Sequence, residues 1–83
     1  MPMVIVSPWD GAFYAAEYPG SEPLVRVGSE VQPQTIVCII ESMKRFSIPA
    51  GLEGKITEIL VTDGEMVEAG QPLFVVQPPL PPI

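Results

Sequence analysis

Val27-Gly28-Ser29-Glu30-Val31-Gln32-Pro33-Gln34-Thr35-Ile36-Val37-Cys38-Ile39-Ile40 aligns without a gap on Asp63-Gly64-Glu65-Met66-Val67-Glu68-Ala69-Gly70-Gln71-Pro72-Leu73-Phe74-Val75-Val76. Gly28 matches Gly64, Val31 matches Val67, and four apolar residues close each unit. Upstream, Gly11-Ala12-Phe13 matches Gly54-Lys55-Ile56. Each half therefore reads as Gly-x-apolar, a strand, a Gly turn and a buried strand. Two such halves predict a sandwich with pseudo-two-fold symmetry.

The halves differ in one place. Gly11 to Gly28 spans 17 positions and Gly54 to Gly64 spans 10, so the first half carries seven extra residues. They fall in Ala15-Ala16-Glu17-Tyr18-Pro19-Gly20-Ser21-Glu22-Pro23, whose Pro and Gly content predicts a protruding loop. Taken alone, such a loop is an ordinary surface insertion.

Eleven prolines and seven glycines cut the 83 residues into pieces too short for helices. The pieces between them are rich in β-branched residues and predict strands at Val4–Val6, Leu24–Val27, Thr35–Ile40, Phe46–Ile48, Lys55–Val61 and Leu73–Val76. Ile36–Ile40 is apolar on both faces, as in a strand buried from both sides. Lys55-Ile56-Thr57-Glu58-Ile59 alternates and predicts one face in water. One domain over residues 1–77 is expected. The run Gln77-Pro78-Pro79-Leu80-Pro81-Pro82-Ile83 lacks the donors for a sheet interior, so residues 78–83 are expected to form a Pro-rich tail.

Composition excludes several functions. Ten acidic residues against four basic ones give a net charge of −6, which disfavours phosphate backbones, so no nucleic acid is expected as a partner. No apolar run approaches the ~18 residues of a membrane span, and no membrane partner is expected. Met1-Pro2-Met3-Val4-Ile5-Val6 lacks a basic n-region, and the expected location is cytoplasmic. The single Cys38 sits in an apolar run and is read as a buried thiol. With no His and one Cys, neither a zinc site nor a Ser-His or Cys-His nucleophile can be assembled, so no metal site and no catalytic residue is expected.

Between the halves lies Glu41-Ser42-Met43-Lys44-Arg45-Phe46, flanked by strand signals on both sides. Tight hairpins favour Asn-Gly or Gly-x because φ must be positive, whereas Met43-Lys44 occupies the predicted tip. A turn that departs from its favoured residues points to a functional site kept at some conformational cost. By itself, an exposed lysine at a hairpin tip is an ordinary solvating residue.

The run Ile40-Glu41-Ser42-Met43-Lys44 resembles the Glu-Ala/Ser-Met-Lys motif of biotinyl domains, in which the lysine carries biotin. The resemblance extends from about Val4 to Val76 and takes in Ser7-Pro8, Gly11-x-Phe13-Tyr14, Gly54, Asp63-Gly64 and Gly70-Gln71-Pro72-Leu73. The insertion at Ala16–Pro23 falls where biotin carboxyl carrier proteins of bacterial-type acetyl-CoA carboxylase have a thumb. The resemblance implies an all-β, flattened barrel-sandwich hybrid of two four-stranded antiparallel sheets. It implies a non-catalytic carrier with biotin covalently on Lys44. Glu41, Ser42 and Met43 would complete the attachment motif, and Tyr18 of the thumb would offer an apolar surface to the cofactor.

The implied partners are a biotin protein ligase, a biotin carboxylase and a carboxyltransferase. Together they would place the chain in an acetyl-CoA carboxylase of fatty acid biosynthesis. Arg45 departs from the family, which has Met or another apolar residue after the lysine. Two other readings share the architecture: a lipoyl carrier domain, which has Asp-Lys-Ala around its lysine, and an unmodified homologue that docks on carboxylase subunits, which Arg45 favours.

Overall fold

The computed structural model describes residues 1–82. Their strands run β1 (Met3–Val6), β2 (Gly11–Tyr14), β3 (Glu30–Val31), β4 (Ile36–Glu41), β5 (Arg45–Pro49), β6 (Gly54–Ile59), β7 (Met66–Val67) and β8 (Pro72–Gln77). Among the described residues no helix is long and apolar enough to cross a membrane. Short β-branched segments bounded by Pro and Gly suit strands whose side chains pack across a pleated surface.

Two four-stranded sheets form, with orders β1-β8-β6-β3 and β5-β4-β2-β7, and every pairing is antiparallel. Exchanging β1 with β5, β8 with β4, β6 with β2 and β3 with β7 turns one order into the other. The registers obey the same exchange: Ala12 faces Glu41 and Phe13 faces Ile40, as Lys55 faces Gln77 and Ile56 faces Val76. The all-β sandwich implied by the repeat is the observed fold.

Hydrogen bonds between the halves explain why the repeat has this form. The Gly28 N–H donates to the Ile56 carbonyl at 2.7 Å, and the Gly64 N–H donates to the Phe13 carbonyl at 2.6 Å. The reverse bonds run from Ile56 N–H to Ser29 O (2.9 Å) and from Phe13 N–H to Glu65 O (2.8 Å). Each glycine turn thus closes on the Gly-x-apolar strand of the other half. Gly28 and Gly64 have φ of +96° and +87°, a conformation costly for any residue with a Cβ.

The inner faces meet in one apolar core. Phe13 and Phe74, from opposite sheets, lie 5.9 Å apart in a tilted pair at its centre. Ile5, Ile56 and Val76 pack from one side, and Cys38, Ile40 and Ile48 from the other. Ser7, a buried polar residue, is satisfied: its Oγ donates to Trp9 O at 2.6 Å.

Several local expectations are corrected. Leu24–Val27 is not a strand. Leu24 N–H bonds back to Ala15 O, and Arg26 N–H to the Ser29 hydroxyl, so this backbone is used in closing a loop and a turn. Strands β3 and β7 were not expected, because two residues cannot display a period. The alternation of Lys55–Ile59 fails after Thr57, where a bulge between Ile56 and Glu58 shifts the register and leaves Ile59 exposed. The predicted strand Lys55–Val61 ends at Ile59. Strand β4 is buried from Val37 to Ile40 on both faces, as its sequence implies. Pro78 to Pro82 continue beyond β8 without joining a sheet; Ile83 of the expected tail lies outside the described residues.

A Cβ on Gly54 would lie 2.5 Å from the Gln77 carbonyl oxygen, a backbone atom that cannot rotate away. Gly54→Ala is expected to cost about 2 kcal/mol by overpacking, read as a lower urea midpoint at unchanged slope. Burial pushes the Cys38 thiol from 9.0 up to about 12. Between those values the unfolded chain has lost a proton that the folded chain retains, so the Cys38 contribution is complete below pH 9 and falls as pH rises. The slope from this group is at most ~1.4 kcal/mol per pH unit. Cys38→Ala is expected to flatten the alkaline stability profile, whatever its effect at neutral pH.

Candidate functional site

Strands β4 and β5 form a hairpin in which Glu41 pairs with Arg45. Ser42, Met43 and Lys44 are the connection, and Ser42 N–H donates to Lys44 O at 3.0 Å. No non-glycine residue among those described has positive φ. The conformational cost expected at the tip is therefore absent, because three residues rather than two turn the chain and none has to become left-handed.

The tip projects fully. Met43 is 100% exposed, and Ser42 and Lys44 are exposed beside it. Among the described residues the Lys44 ammonium has no ion pair. Below the tip the ladder is well anchored: Ile40 is buried in the core and pairs with Phe46, whose ring stacks on Trp9 at 5.1 Å. Lys44 thus sits on a hairpin anchored in the core, and among the described residues its side chain makes no ion pair.

The seven-residue insertion is organised by its own bonds. At its base Leu24 N–H donates to Ala15 O at 2.9 Å, and Ala15 N–H donates to Asp63 Oδ1 at 2.7 Å. At its tip Ser21 N–H donates to Tyr18 O, while the Ser21 hydroxyl accepts from Tyr18 N–H. Pro19 and Pro23 restrict the backbone between.

A cavity of about 420 Å³ lies between this loop and the hairpin, lined among others by Tyr14, Tyr18, Glu41, Arg45 and Asp63. Of the residues singled out in the sequence, Tyr18 and Glu41 meet at this cavity, whereas Ser42, Met43 and Lys44 stand outside its wall. Tyr18 is 67% exposed, so its ring is free to receive a further apolar group.

Sequence reasoning missed three contributors. Asp63 anchors the loop base across 48 residues. Asp10 does the same for another loop, accepting from Ala69 N–H at 2.7 Å. Trp9 carries the stack under the hairpin. An Asp directly before a Gly, as in Asp10-Gly11 and Asp63-Gly64, is the one signal that pointed to the two carboxylates, and it names no acceptor or donor.

Comparison with known proteins adds the following. The family model described as "Biotin-requiring enzyme" matches residues 3–76. The chain is 51% identical over 74 residues to the biotin carboxyl carrier protein of acetyl-CoA carboxylase of Pyropia yezoensis, covering 88% of this chain and 47% of that protein. It is 44% identical over 71 residues to the protein of the same description from Chlamydia muridarum, covering 84% of this chain and 44% of that one. The chain thus spans less than half the length of these relatives. Urea carboxylase of Kluyveromyces lactis contains a similar fold, with a TM-score of 0.75 and 31% identity over 93% of this chain and 6% of that one.

Removing the Asp63 carboxylate should loosen the loop base without harming the core. Asp63→Ala is expected to raise amide exchange at Ala15 roughly tenfold, the effect of losing one charge-assisted bond. Exchange in β4 and β8 should be unchanged.

Proposed function

Because the chain belongs to the biotin-requiring enzyme family, we propose that it is a biotin carboxyl carrier domain, with biotin in amide linkage on Lys44. The observation that carries this reading is Lys44 itself: an exposed amine, without an ion pair among the described residues, in the run Glu41-Ser42-Met43-Lys44 at the tip of a hairpin rooted in the core. The only other lysine, Lys55, lies inside β6, where its backbone is paired with β8 on one side and β3 on the other.

The residues fit the group. Amide formation needs the free amine, so a ligase must take a proton from Nζ and orient it toward an activated biotinyl carboxyl. A tip with Met43 and Lys44 both in solvent can enter a ligase cleft without unfolding the sheet. Attack of Nζ on a biotinyl-adenylate would form the amide, break the carboxyl–phosphate bond and release AMP, and it removes one positive charge from the chain. Biotin then supplies a carrier for carboxylate, and this chain supplies reach and position. The ladder from Glu41 to Arg45 fixes where the arm starts, and Tyr18 at the cavity offers an apolar surface beside it.

The reading names a biotin protein ligase, a biotin carboxylase and a carboxyltransferase as partners, within an acetyl-CoA carboxylase. The descriptions of the relatives support the acetyl-CoA carboxylase part of this assignment. Neither nucleic acid nor membrane enters it. It places the chain in the cytoplasm. In this scheme residues 1–77 are the carrier domain, the Pro-rich residues that follow are a tail, and the chemistry belongs to the partners.

Co-expression with a biotin ligase and biotin should add one biotinyl group by intact mass, mapped to Lys44. Lys44→Ala should abolish streptavidin blotting while keeping the wild-type free energy of unfolding within about 0.5 kcal/mol, since the residue is exposed. Modification that persists in this variant, or a lipoyl mass in place of a biotinyl one, would overturn the assignment.

A further inference from the structure

We propose that Arg45 is a positioning residue that latches the thumb, Ala16–Pro23, onto the Lys44 hairpin. The guanidinium makes three contacts at once. Its Nη2 donates to the Glu17 carbonyl at 2.5 Å. Its Nη1 lies 3.7 Å from Glu41 Oε1, and its Cζ sits 5.8 Å above the Tyr14 ring. A planar fork can meet a carbonyl and a carboxylate together while its face rests on an aromatic ring, whereas an ammonium is a single point of charge.

The thumb needs such a tie. Its base is held by the Ala15 and Leu24 bonds, and its tip is closed on itself by Tyr18 and Ser21. These bonds shape the loop but leave its stance against the hairpin open, and the Glu17 carbonyl is where Arg45 fastens it. The other end of the latch is rigid, because Arg45 pairs with Glu41 in the β4–β5 ladder. Thumb and hairpin are thereby coupled one residue from Lys44. An apolar side chain at position 45 would provide no donor for Glu17, so the residue that departs from the biotinyl pattern is the one that closes the cavity wall. With the latch closed, a group tethered to Lys44 has a fixed wall on the thumb side. This use of the latch rests on the carrier reading, while the latch itself does not.

Backbone ¹⁵N relaxation on unmodified and biotinylated chain tests the proposal. In the wild type the amides of Glu17, Tyr18 and Gly20 are expected near the rigid value of about 0.85 in order parameter, and in Arg45→Met below about 0.6. The amides of β4, β5 and β8 should not change. Arg45→Lys should fall between, because it keeps the charge opposite Glu41 and loses the fork. It also keeps the test open should Arg45→Met disturb β5. Unchanged thumb order in both variants, or a wild-type thumb already below about 0.6, overturns the latch. Intact mass on the same samples separates the two ideas: a wild-type chain that accepts no biotin sinks the carrier reading, and the unmodified samples still decide the latch.

Discussion

The structure depends on two places where backbone meets backbone with no side chain between. A Cβ on Gly11 would lie 2.6 Å from the Glu41 carbonyl oxygen, and one on Gly54 would lie 2.5 Å from that of Gln77. These contacts press β2 onto the end of β4 and β6 onto the end of β8. Once they are made, Phe13 and Ile56 fall into the core, and their main-chain groups meet the Gly64 and Gly28 turns of the opposite half. The two halves are therefore joined by reciprocal hydrogen bonds that extend the β3–β6 and β7–β2 pairings within each sheet, while apolar burial joins the sheets. The Gly11 contact ends on Glu41, the last residue before the exposed tip, so the same close approach that orders the core also places the lysine.

The candidate site lies where the two halves cease to match. The two-fold exchange carries the β4–β5 pair onto β8 and β1, strands far apart in sequence that no turn joins: Met3 pairs with Val76 where, in the other sheet, Ile40 pairs with Phe46. One sheet thus offers a continuous hairpin, and its counterpart offers none. The seven extra residues fall in the half whose strand β2 pairs with β4, and the thumb they form closes on Arg45. A symmetric scaffold has been made one-sided at a single end by one turn and one insertion.

What could be read from the sequence follows from range. The repeat was legible because each half obeys the same backbone constraint, so Gly11 and Gly54, Gly28 and Gly64, Val31 and Val67 had to recur. The hairpin lysine was legible because it interrupts that repeat. Strands β3 and β7 were not, since a two-residue strand exists only through its partner: Val31 against Gly54 and Val67 against Gly11. Leu24–Val27 has the composition of a strand, yet its donors are taken by Ala15 and Ser29. The bulge after Ile56 carries no marker residue. The reach of Arg45 to Glu17 crosses 28 positions and depends on where the loop folds back, which no local pattern encodes.

A carrier has to reconcile a fixed origin with a free end. Freedom at Lys44 comes from lack of contact: the residues beside it at the tip face solvent, and its charge has no partner among the described residues. Fixity comes from the adjoining residues, where Ile40 is fully buried and Phe46 stacks on Trp9. The change from buried to free takes place within four positions of chain. That abruptness is available to a hairpin because the ladder bonds stop at Glu41 and Arg45, whereas a lysine on a strand such as β6 would keep its backbone tied on both sides. An arm that starts from a rigid point explores a volume set by its own length, and a wall on one side of that point reduces the volume without reducing the mobility. The loop after Tyr14 stands on one side of that point, and Arg45, the residue next to Lys44, bonds to its Glu17 carbonyl.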